Sequence, residues 1–107
     1  MYAFFVFKRP VSSTSLIPIV YQIKEILLQE QLTAIHQKET RNIEISENRI
    51  ETSDKSLFFP AGIWADVHSI TYFPNGNINQ AKSVCFYNTK TKLCLVLQLG
   101  SGQIAIR

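Results

Sequence analysis

The sequence predicts an α+β domain in which one long N-terminal helix packs on an antiparallel β-meander. Three observations lead there. Apolar residues recur at helical spacing between Ser15 and Glu39, and the period then changes to strict alternation at Arg41. From Val67 to Arg107, short apolar runs are separated by turn chemistry: VHSITYF, PNGN, SVCFYN, TKTK, LCLVLQL, GSG, QIAIR. At 107 residues the chain is read as a single domain over 1–107, with helix at 15–39 and sheet at 41–107. A content of 46% hydrophobic and 18% charged residues argues against wholesale disorder. No apolar run reaches the ~18 residues of a membrane-spanning helix.

The helix follows from its cap and its stripe. Ser15 is a good N-cap, and Pro18 is tolerated in the first turn, where its missing N–H has no intrahelical acceptor. Leu16, Ile19, Val20, Ile23, Ile26, Leu27 and Ala34 fall close to one line along the helix, interrupted by Glu30. This is the face expected on the sheet. Tyr21, Leu28 and Leu32 fall near the far side, with Ile35 adjoining them. Two readings stay open: a second layer or other chains cover that side, or these are scattered surface residues of an ordinary kind.

Before the helix, Tyr2 to Phe7 are strongly apolar, and Lys8-Arg9-Pro10 and a Ser/Thr tract follow. The run is expected to be the tail of a longer hydrophobic segment, with an edge strand or a frayed leader that contributes little to the fold as the alternatives. After the helix, RNIEIS and NRIET read as a small hairpin turning at Glu47-Asn48 and carrying Ile43, Ile45 and Ile50 inward. Ser53-Asp54-Lys55 is a second turn, followed by Leu57-Phe58-Phe59 and a stop at Pro60. Trp64, in the connection to the meander, is expected to plug the end of the sheet rather than to bind a ligand.

Within the meander, Asn75-Gly76 is expected to form a type I′ hairpin turn joining VHSITYF to SVCFYN. Leu93, Leu95, Leu97 and Leu99 alternate as a half-buried strand should, and Ser101-Gly102 offers another permissive pair. If SVCFYN and LCLVLQL pair about Thr89-Lys90, Tyr87 opposes Lys92, Phe86 opposes Leu93, and Cys85 opposes Cys94. Directly opposed residues lie within disulfide reach. A cross-strand Cys85–Cys94 disulfide in an oxidising, extracytoplasmic compartment is therefore expected, against the alternative of two reduced, half-buried thiols.

Charge is unevenly spread about a net +3. All eight acids lie between residues 10 and 66, with Lys24, Lys38, Arg41, Arg49 and Lys55, whereas Val67 to Arg107 carry Lys82, Lys90, Lys92 and Arg107 and no acid. Those four suit an anionic partner such as DNA phosphates. No catalytic constellation is visible. His36 and His68 have no ligand-spaced neighbours, and Gly100-Ser101-Gly102 lacks the pattern of a nucleophile elbow. Neither an enzyme, nor a metal, nor a cofactor is expected.

The order of elements, with ITYFPNGNINQAK and the closing LCLVLQLGSGQIAIR, resembles the minor pilins and pseudopilins of the type IV filament superfamily. It is most similar to the D-type minor pilins (ComGD type) of Gram-positive competence pili, and secretion pseudopilins end similarly. The resemblance covers Ile70 to Arg107, and the helix by character alone. It implies a pilin-like fold in a structural subunit that acts in pilus assembly and initiation, and so in DNA uptake. Its partners would be other minor pilins and the major pilin. Tyr21, Leu28, Leu32 and Ile35 would form the subunit interface, and the protein would lie at the cell surface, anchored in the membrane before assembly through a hydrophobic N-terminal helix. Met1 to Phe7 would be the tail of that helix, since no prepilin leader motif stands in this sequence. The alternatives are a DNA-binding minor pilin using the basic residues of the C-terminal sheet, and a type II secretion pseudopilin.

Overall fold

The computed structural model describes residues 15–100 and 103–107, so the expectations for Met1–Phe7 and for Ser101-Gly102 lie outside the described residues. Helix α1 spans Leu16–Gln37. The Ser15 hydroxyl oxygen accepts the Ile17 N–H at 3.3 Å, satisfying one of the free donors of the first turn. Lys38 ends the helix in the left-handed conformation (φ 55°) and donates its N–H to the Ala34 carbonyl. Leu16, Ile19, Val20, Ile23, Ile26, Leu27 and Ala34 are all buried. The stripe is the packing face.

Eight strands follow: β1 (Arg41–Ile45), β2 (Arg49–Glu51), β3 (Ser56–Phe58), β4 (Trp64–Ala65), β5 (His68–Tyr72), β6 (Lys82–Tyr87), β7 (Lys92–Leu97) and β8 (Ile104–Ile106). They form two antiparallel four-stranded sheets, ordered β3-β2-β1-β5 and β4-β6-β7-β8. The fold is α+β, but the expected single meander is corrected. Strand β5 does not pair with β6. It pairs with β1 from Arg41↔Tyr72 to Ile45↔His68, which sets Ile70 and Tyr72 beside Ile43 on the buried side. Alternation marks a strand and its buried face but does not name its neighbour.

The PNGN turn is also not the type I′ hairpin expected. Gly76 has φ +87°, whereas Asn75 has no positive φ. Pro74 holds a fixed negative φ one position earlier, in a four-residue turn closed by Gly76 N–H to the Phe73 carbonyl at 2.8 Å. Beyond it a single bridge, Tyr72↔Ile78, precedes the crossing to the second sheet.

Helix α1 lies over both sheets, resting on β7 and β1 with β5 and β6 beside them. The core between them gathers Ile43, Ile45, Ile50 and Ile70 from one sheet and Val84, Phe86, Leu95 and Leu97 from the other. Phe59 meets the fully buried Phe86 edge-to-face at 5.8 Å. The alternation of β7 ends at Leu97, and Leu99 is exposed. Trp64 does not plug the sheet. It lies on edge strand β4 with its neighbours Ile63 and Ala65 buried, so alternation turns it outward.

Candidate interaction surfaces

Two charged residues fix how the helix sits. Glu30, the one break in the apolar stripe, is only 3% exposed, and Arg41 at the start of β1 is 8% exposed. Arg41 Nε donates to Glu30 Oε1 at 3.0 Å and Nη2 to Oε2 at 3.4 Å. Its remaining donors reach Glu39 at 2.8 Å and Asp54 at 2.7 Å. Hydrogen bonds donated to Glu30, then to Asp54 and Glu39, hold the guanidinium above its ordinary range. The sequence signal is the lone acid in an apolar stripe, a position that favours a buried hydrogen-bonding or ionic partner. Which partner depends on the tertiary fold.

The other side of the helix carries the four residues assigned to a subunit interface. Tyr21 (52%), Leu32 (53%) and Ile35 (37%) are exposed, and Ile17 (58%) extends the same line toward the N-terminus. Leu28 differs. It is half-buried in a groove of about 380 Å³ between α1 and β8, lined also by Lys24, Gln98, Ile104 and Ala105. Ile35 is partly covered by the PNGN turn, since a Cβ on Gly76 would lie 2.8 Å from Ile35 Cδ1. Gln31 Nε2 donates to the Gly76 carbonyl at 2.8 Å. Asn77 Oδ1 accepts the backbone N–H groups of Ile78 and Gly100, each at 2.8 Å. Asn77 thus joins the PNGN turn to Gly100 near the C-terminal end of the helix.

A second surface is the outer face of the β4-β6-β7-β8 sheet. The observed register opposes Tyr87 to Lys92, Phe86 to Leu93 and Cys85 to Cys94, and the two cysteines are joined by a disulfide. Trp64 opposes Tyr87 from the other side, and their rings stack with centroids 6.0 Å apart and planes 19° from parallel. Alternation therefore puts Trp64, Tyr87 and Lys92 in one outward row. Asp66 bonds the Cys85 backbone and Arg107 the Cys94 backbone, which adds Asp66, the disulfide and Arg107 as the next row. The Tyr87 hydroxyl donates to Asp66 Oδ2 at 3.0 Å, and that acceptor carboxylate pushes the phenol above its usual range.

Of the four basic residues assigned to DNA phosphates, Lys90, Lys92 and Arg107 are exposed at this end of the sheet. Lys82 stands apart, because it begins β6 at the opposite end and its ammonium donates to the Ser69 carbonyl. Among the described residues, no group of three His, Cys, Asp or Glu side chains could hold a metal ion, and no helix is long and apolar enough to cross a membrane. What these surfaces offer chemically is contact and charge. In comparisons with known proteins, no family model, no curated protein and no solved structure matches this chain.

Proposed function

We propose that this chain is a structural subunit of a type IV-like filament, a minor pilin of a competence-type pilus. It contributes to pilus assembly and initiation, and through them to DNA uptake in transformation. The observation that carries this reading is the second apolar side of α1. A helix of 22 residues is about 33 Å long, and one side of it is fully committed to the core. Along the opposite side Ile17, Tyr21 and Leu32 remain in solvent, with Leu28 and Ile35 half covered between and beyond them. These apolar side chains share one side of the helix, with Lys24 and Glu25 between Tyr21 and Leu28, and such a gathering of apolar residues outside the core suits a protein contact. Neighbouring minor pilins and the major pilin are the partners this reading assigns to it. The Cys85–Cys94 disulfide supports a cell-surface, extracytoplasmic location, because such bonds persist in oxidising compartments.

Leu32→Glu tests the reading, since Leu32 is exposed and its replacement leaves no cavity. The purified variant should unfold within about 0.5 kcal/mol of the parent, as surface substitutions generally do. Cells carrying it should lose surface pili and transformation. Normal piliation in those cells would overturn the proposal.

A further inference from the structure

We propose that the outer face of the β4-β6-β7-β8 sheet is a binding site for single-stranded nucleic acid, with Trp64 and Tyr87 as the base-stacking platform and Lys92 and Arg107 as the phosphate contacts. Four observations carry it, and none depends on the filament reading. Trp64 is a large aromatic residue left 40% exposed although its neighbours Ile63 and Ala65 are buried, so solvent exposure is a property of this side chain and not of the whole segment. Its ring already stacks on Tyr87 in a nearly parallel arrangement, so the two rings form one aromatic platform. Tyr87 is held in place by its hydrogen bond to Asp66, so the platform is ordered before any ligand arrives. The cations are placed beside it: Lys92 directly opposes Tyr87, and Arg107 lies across the disulfide in the next row.

The spacing suits a strand that crosses the sheet. Adjacent β-strands lie about 4.8 Å apart, so the path from Trp64 on β4 to Arg107 beyond β8 covers three intervals, roughly 14 Å. Aromatic rings followed by positive charges along one line are what unpaired bases on a continuous phosphate backbone require, since every base has a π-face and every nucleotide a charge. A duplex would present phosphates to Lys92 and Arg107 but no base face to Trp64. Lys90, in the β6–β7 turn, adds a third exposed cation at the same end. Asp66 opposes anion binding on this face, since the bond from the neutral Tyr87 hydroxyl does not cancel its charge, but the exposed cations Lys90, Lys92 and Arg107 outnumber it. The disulfide ties β6 to β7 beneath the ligand path and keeps the two rows in register.

Trp64 is the only tryptophan in the chain, so intrinsic fluorescence reads this site directly. Oligothymidylate titrated at low salt should quench that fluorescence and bind more tightly than a duplex of the same length or dextran sulfate. Trp64→Ala, followed by anisotropy of a labelled oligothymidylate, should weaken binding about tenfold, the size of one base–aromatic stack. Lys92→Gln and Arg107→Gln should instead reduce the salt dependence, which for three phosphate contacts to a single strand has a slope of about −2 in log–log form. These two surface variants keep the test informative if Trp64→Ala fails to fold. Equal affinity for the duplex or for dextran sulfate, binding that leaves tryptophan emission unchanged, or no binding at low salt would each overturn the proposal.

Discussion

Replacing Arg41 by Met should destabilise the protein far more than replacing Glu30 by Met, although the two residues share one ion pair. Arg41 has three carboxylate partners, and those of Glu39 and Asp54 are 44% and 66% exposed. Glu30→Met therefore leaves the guanidinium with two partners at the solvent boundary, and the new methyl thioether extends the apolar stripe of α1. Arg41→Met leaves the Glu30 carboxylate nearly fully buried and stripped of the bidentate donor that compensated it. Removing one partner of a buried pair typically costs about 3–5 kcal/mol, because the remaining charge is desolvated and unpaired. We expect that range for Arg41→Met and ~1 kcal/mol for Glu30→Met. The double variant should recover most of the loss, since two apolar residues of similar volume can replace a buried pair at little cost. Urea unfolding of the four proteins, with the disulfide intact, measures the cycle. A melting-temperature loss of roughly 15 °C for Arg41→Met corresponds to the lower end of the range for a domain of this size. Equal effects of the two single substitutions, or a double variant as unstable as their sum, would refute the reasoning.

Other consequences are local. Burial pushes the Tyr72 phenol up to about 12, and its hydroxyl has no hydrogen-bond partner among the described residues. The neutral form is therefore favoured in the folded state. Stability should be complete below the ordinary tyrosine value near 10 and should fall as pH rises from 10 toward 12, by about 1.4 kcal/mol per pH unit. Tyr72→Phe should abolish that alkaline loss and be neutral or stabilising by ~1 kcal/mol at neutral pH, and denaturant titrations across the pH range would show both. The Cys85–Cys94 bond closes a separation of nine residues, so the Cys85→Ala/Cys94→Ala protein should lose about 2.5 kcal/mol in calorimetry while keeping its far-ultraviolet circular dichroism. Gly76→Ala should cost more than Gly100→Ala. Both residues have positive φ, worth ~1 kcal/mol each, and among the described residues only at Gly76 would the new Cβ meet a side chain, the tip of Ile35 at 2.8 Å, which has to shift to admit it. The difference should be small, because the Ile35 tip can turn into solvent, and a Gly100→Ala variant less stable than Gly76→Ala in calorimetry would count against the docking of the PNGN turn on the helix.

How much could be read in advance divides along the range of the forces involved. The Ser15 cap, the buried stripe of α1, the β1–β2 hairpin with Ile45 opposite Ile50, and the β6–β7 register that pairs the cysteines all depend on residues close in sequence. The pairing of β5 with β1 spans about thirty residues and leaves no local trace, because His68–Tyr72 would bury the same alternate side chains against either neighbour. The Asn75-Gly76 pair suggested a two-residue turn, but Pro74 had already restricted the backbone, and the packing of Gly76 on Ile35 gave the glycine a second role. Glu30 is visible in the sequence only as a break in the stripe, and its partner Arg41 follows from where the fold brings β1. Among the surface residues, the outward turn of Trp64 leaves no trace in the sequence, because its two-residue strand is too short to show a period. Leu28 was grouped with Tyr21 and Leu32 by helical angle alone, and only the position of β8 shows that it is half enclosed.

In-cell photocrosslinking can read out the proposed contact between subunits on the outward side of α1. A photoreactive amino acid at position 32, on the exposed apolar line, should give covalent adducts with other pilins of the filament. The same probe at Glu44, on the exposed surface of the other sheet, should give none. Adducts at both positions alike, or at neither in cells that display pili, would contradict the claim.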